Sequence, residues 1–92
     1  MRRCLKITIQ GKVQEPSYRA FVQKHALSLG VEGTIQDIED GNVAIYACGP
    51  SEKLDRLIDY LYKGSSAARV EDVIIEPYMN EKDFRGVFRI IG

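Results

Sequence analysis

The segment Gly11-Lys12-Val13-Gln14-Glu15-Pro16-Ser17-Tyr18-Arg19 joins an alternating apolar run to a helix-spaced one. Arg19 then falls in the first turn of a helix, where backbone N–H groups have no intrahelical acceptor and the dipole end is positive. Such a start, with a guanidinium beside it, suits a phosphate group. Asp37, near the end of the next strand-like run, is the second side chain whose type and position suit chemistry. The same residues have a purely structural interpretation: Arg19 a solvated helix residue, Pro16 and Ser17 helix-start punctuation, Asp37 part of a hairpin turn.

The elements around these residues decide whether they meet. Leu5, Ile7 and Ile9 alternate with polar residues, the period of a strand with one buried face. From Tyr18 the spacing changes to Tyr18, Val22, Ala26 and Leu29, one face of a helix that Gly30 ends. Residues 33–39 predict a second strand, Asp40-Gly41 a hairpin turn, and Val43, Ile45 and Ala47 a third strand. Ser51 is suited to cap a second helix with the apolar stripe Leu54, Leu57, Ile58, Leu61 and Tyr62, closed by Lys63-Gly64. Residues 70–77 and 87–91 predict two further strands separated by polar turns.

The order β-α-β-β-α-β with a short extra strand predicts an α+β, ferredoxin-like sandwich: two helices on one face of a mostly antiparallel sheet of four to five strands. In that topology the first and second strands run parallel with the third between them, so their carboxyl ends share one edge. Counting by twos from Ile35 puts Asp37 on the helix-covered face, so the loop, Arg19 and Asp37 are expected to meet.

The 92 residues make a single domain, 1–92, with one core. Thirteen basic and thirteen acidic side chains cancel, so the overall charge points to neither nucleic acid nor an anionic membrane, and recognition of an anion must be local. The chain has no apolar run approaching a membrane span, and its first residues enter strand-like alternation directly, which makes the cytoplasm the expected location. His25 is the single histidine and reads as a surface helix residue, so no two-histidine metal site can form. Glu39 and Asp40 read as solvated turn residues. Tyr46 is expected on the open face of the sheet, but the basic-aromatic signature of an RNA-binding sheet is absent.

GKVQEPSYR followed by GTIQDIEDGNVAIYACG resembles the acylphosphatase family, whose signatures read G-x-V-Q-G-V-x-F-R and G-aromatic-x-x-N-x-x-x-G-x-V-x-x-x-x-x-G. Gly11, Val13, Gln14 and Arg19 fit the first, with Tyr18 at its aromatic position, and Gly33, Gly41, Val43 and Gly49 fit the second. The resemblance covers nearly the whole chain. It implies a hydrolase of carboxyl-phosphate mixed anhydrides that uses no metal or cofactor and acts as a monomer on a small phosphorylated carboxylate. Inorganic phosphate would be the simplest ligand. It further implies a phosphate-binding loop of Gln14, Glu15, Pro16, Ser17 and Tyr18, a phosphate-binding Arg19, and Asp37 at the position that orients the attacking water.

Three replacements fall inside that constellation. Pro16 supplies no N–H, so if the amide at the signature's valine position points at the phosphate one cradle donor is missing, a loss that by analogy with an oxyanion-hole donor lowers a rate roughly a hundredfold to a thousandfold. Glu15 stands where the signature has glycine, a penalty of about 1–2 kcal/mol if the position requires a left-handed backbone. Asp37 replaces an amide with a charge, which at about 4 Å and an effective dielectric near 20 repels a phosphate by about 4 kcal/mol, partly offset by Arg19. A carboxylate also accepts a proton from water better than an amide does. The expectation is weak hydrolysis, with a non-catalytic module binding an anion or a protein partner as the alternative.

Cys4 and Cys48 are 44 positions apart, yet the antiparallel pairing of the first and third strands sets them opposite one another, both out of phase with the buried series and therefore on the open face. Directly opposed residues lie about 4.5–5.5 Å apart, within disulfide range. A bridge and a pair of small apolar thiols both remain open.

Overall fold

A computed structural model of the chain describes residues 1–79 and 83–92. Its elements are β1 (Arg2–Lys12), α1 (Pro16–Leu29), β2 (Glu32–Asp37), a 3-10 turn (Glu39–Gly41), β3 (Val43–Pro50), α2 (Ser51–Lys63), β4 (Arg69–Pro77) and β5 (Phe88–Ile91). The strands form one sheet in the order β4-β1-β3-β2-β5. Three of its neighbouring pairs are antiparallel and the β2–β5 pair is parallel. The architecture is therefore the ferredoxin-like α+β sandwich, with β5 extending the sheet beyond β2. Part of the polar turn expected before β5 lies outside the described residues.

The alternating series does what its period requires. Leu5, Ile7 and Ile9 of β1 and Val43, Ile45 and Ala47 of β3 are buried against Tyr18, Val22 and Ala26 of α1 and Leu54, Leu57 and Leu61 of α2. Gly30 ends α1 in the left-handed conformation, and the Val31 amide closes the last turn on the Ala26 carbonyl at 2.9 Å. Two signature glycines have a steric cause. At Gly11, beside the β1–β4 irregularity, a Cβ would stand 2.1 Å from the Arg69 carbonyl oxygen, and at Gly33 it would stand 1.8 Å from that of Tyr46. Both also hold positive φ, at 134° and 154°, which side chains resist.

Several local expectations are corrected. Pro50, not Ser51, is the N-cap of α2; the Ser51 amide and hydroxyl both donate to the Met1 carbonyl, at 2.9 and 3.2 Å, and this interaction replaces capping. Tyr62 is 56 % exposed, because the amphipathic face of α2 closes on Leu54, Leu57 and Leu61 and Tyr62 lies past its edge. The second strand stops at Asp37 instead of running to Glu39, which starts the 3-10 turn; Asp40 within it holds φ of 64°. Among the described residues no helix is long and apolar enough to cross a membrane.

Candidate active site

The loop leaving β1 is built by hydrogen bonds that its residue types supply. Glu15, the N-cap of α1, is extended, with φ −85° and ψ 132°. Its carbonyl accepts the Tyr18 amide at 2.9 Å and the Arg19 amide at 3.4 Å. The position thus demands no left-handed backbone, so the penalty that would attach to glutamate in that conformation does not apply. Pro16 takes the first helical position, where its fixed φ suits the helix and its missing N–H removes no helical bond. With Tyr18 and Arg19 turned to Glu15, Ser17 has the remaining first-turn amide that points out of the helix start.

Gln14 does more than line the loop. Its amide nitrogen donates to the carbonyls of Ile38 and Asn42, at 2.7 and 2.8 Å, and so fastens the β1–α1 loop to the β2–β3 turn. The Ile38 amide closes the same turn on the Asn42 carbonyl at 2.9 Å. A side-chain amide nitrogen carries two N–H donors, one for each of two converging carbonyls. The spacing of Gln14 and Asn42 in the sequence carries no sign of this clip.

Across it, Arg19 Nη1 lies 2.6 Å from both carboxylate oxygens of Asp37. The Arg19 side chain is 18 % exposed and that of Asp37 38 % exposed, so the pair is partly open to water. The remaining edge of the guanidinium has no acceptor among the described residues. Arg19, Asp37, Gln14 and the Ser17 amide are thereby gathered at one end of the sheet. Glu15 and Pro16 are exposed on the approach to it.

Tyr18 does not belong with this group as a loop residue. It lies in the first turn of α1, its ring is fully buried, and its hydroxyl donates to the Leu61 carbonyl at 3.2 Å. Burial pushes its hydroxyl pKa far up, so it stays protonated. Its contribution is to hang α1 on α2 and so hold the helix start in place. His25 is likewise more than a surface residue: it stacks on Tyr60 at 3.8 Å between ring centroids and meets Phe21 edge-on at 4.6 Å. Helical spacing puts Phe21 and His25 on one side of α1, but the partner on α2 is not readable from spacing.

Cys4 and Cys48 face each other across the β1–β3 ladder and are disulfide-bonded, with Cα atoms 4.1 Å apart. They lie at the end of the sheet opposite Arg19. Although both lie on the face away from the helices, Cys48 is fully buried and only Cys4 is partly exposed.

The molecule is thus a ferredoxin-like sandwich whose first helix presents an arginine toward an acidic residue at the end of the second strand. The sequence profile of the family described as Acylphosphatase matches residues 5–90. An acylphosphatase of Halorhodospira halophila is 43 % identical over 72 residues, 78 % of each chain. One of Vibrio parahaemolyticus is 35 % identical over 89 residues, 97 % of each. The solved structure of an acylphosphatase from Coxiella burnetii superposes with a TM-score of 0.89 at 30 % identity, covering 98 % of this chain and 93 % of that one. The chain belongs to the acylphosphatase family.

Proposed function

We propose that the chain hydrolyses acyl phosphates slowly at the partly exposed surface where the start of α1 meets the end of β2. The observation that carries this reading is the meeting of Arg19 and Asp37 beside the Ser17 amide. The free edge of the Arg19 guanidinium and that amide receive the phosphoryl oxygens. A water that donates a hydrogen bond to Asp37 is then held on the phosphorus. As its oxygen bonds to phosphorus, the bond from phosphorus to the acyl oxygen breaks and its electron pair leaves with the carboxylate. The water proton passes to Asp37 or to the product phosphate. Because the leaving carboxylate belongs to an acid with pKa about 4, it departs without a proton donor near neutral pH. Placement and charge neutralisation are therefore the main tasks left to the protein.

The same geometry supports slowness. Asp37 already occupies part of the cation that the phosphoryl group needs, and Pro16 supplies no donor. This occupation also favours one alternative, a module that binds an anion or a protein partner without turnover. Acetyl phosphate distinguishes the two. Hydrolysis above the background rate, competitively inhibited by inorganic phosphate, supports the enzyme; phosphate-dependent shifts of the Ser17 and Arg19 amide resonances with no turnover support the module.

A further inference from the structure

A cavity of about 200 Å3 opens beside the disulfide, lined by Arg2, Arg3, Cys4, Tyr78 and Met79. Its walls are held in place. The Tyr78 amide donates to the Cys4 carbonyl at 3.0 Å, and the Tyr78 ring packs edge-on against Tyr46 at 5.0 Å. Arg2 is hydrogen-bonded to Glu32, whose other oxygen accepts the Gly86 amide at 2.8 Å. The charge of Arg2 is thus compensated by Glu32, and Arg3 is the second basic residue of the lining.

The two sulfurs differ in access. Cys48 is fully buried, whereas Cys4 is partly exposed and forms part of the cavity wall. Thiol–disulfide exchange proceeds by attack of a thiolate on an accessible sulfur, and a positive surround favours the anionic attacker. We propose that the Cys4–Cys48 bridge is a thiol-exchange site that opens at Cys4 to a small anionic thiol entering this cavity. The incoming thiolate bonds to Cys4 Sγ, the bond between Cys4 and Cys48 breaks, and its electron pair leaves on Cys48 Sγ, which solvent protonates. A second thiolate attacks the mixed disulfide and releases Cys4. In sum the bridge gains two electrons and two small thiols become their disulfide. The cationic wall selects for carboxylate-bearing thiols over neutral ones of the same shape.

Glutathione and its diethyl ester provide the test, since they differ in carboxylate charge and share the cysteinyl thiol. At equal thiolate concentration and low salt, the oxidised full chain is expected to lose its bridge at least about threefold faster with glutathione, an advantage that fades as salt screens it. Arg3→Gln should reduce the ratio toward one. With oxidised glutathione, Cys48→Ser should take one adduct on Cys4, while Cys4→Ser stays unmodified under the same conditions. If either cysteine variant fails to fold, the two rate ratios decide. An ester as fast as glutathione, a ratio unchanged by Arg3→Gln, or preferential adduct formation on Cys48 overturns the proposal.

Discussion

Arg19 Nη1 and the two carboxylate oxygens of Asp37 make a three-point contact, 2.6 Å on each side, between the first turn of α1 and the last residue of β2. An anion of the chain itself thus sits where the family's signature has an amide. The contact is partly exposed, so water weakens it, and a phosphate can share the arginine.

Asp37→Asn removes that internal competitor and keeps an oxygen able to orient water. Its expected effect is a gain of at least about tenfold in affinity for inorganic phosphate, equal to about 1.4 kcal/mol. The acyl-phosphate KM should fall with it. Isothermal titration with phosphate checks the first and initial-rate kinetics the second. Unchanged affinity would mean that Asp37 does not compete for Arg19.

Pro16→Val exchanges one advantage for another. Proline at the first helical position limits the unfolded chain, so valine should lower stability by about 0.4–1 kcal/mol. It also restores an N–H at the helix start, so phosphate affinity should rise. Chemical denaturation and phosphate titration of the same sample measure the two. Movement of both in the same direction would contradict this account of the loop.

His25 should make stability depend on pH. Removal from water, then the charges of Lys24 and Lys63, hold its imidazole pKa below the ordinary value near 6.5. Between the folded and unfolded pKa the unfolded chain therefore carries more protons, so this contribution is complete above about pH 6.5 and is lost as pH falls toward the folded pKa. Thermal melts from pH 7.5 to 5.5 should decline less in His25→Phe, which keeps an aromatic ring against Tyr60. Equal slopes in the two proteins would assign the acid sensitivity to other groups.

The fold was legible in the sequence because its strongest signals are periodic. Leu5-Ile7-Ile9 and Val43-Ile45-Ala47 have the period of strands, and Leu54-Leu57-Leu61 that of a helix. The element order then fixes which strand ends lie together, and that topology alone anticipates the approach of Arg19 to Asp37. Details set by side-chain reach were not legible. The two bonds of Gln14, the diversion of Ser51 to Met1 and the stacking of His25 on Tyr60 each join residues at least 24 positions apart, through contacts that leave no periodic trace. The backbone at Glu15 was not legible for a different reason. A signature glycine suggested a left-handed backbone, but with proline next in the chain the position adopts the extended conformation that precedes proline.

The most direct test of the proposed chemistry is the steady-state hydrolysis of acetyl phosphate by the parent chain and by Arg19→Ala, with folding of both verified by circular dichroism. If Arg19 holds the phosphoryl group, the parent exceeds the uncatalysed rate and kcat/KM falls at least about a hundredfold in the variant, the loss typical of one donor to a developing oxyanion. A parent rate equal to background, or a variant as fast as the parent, would contradict it.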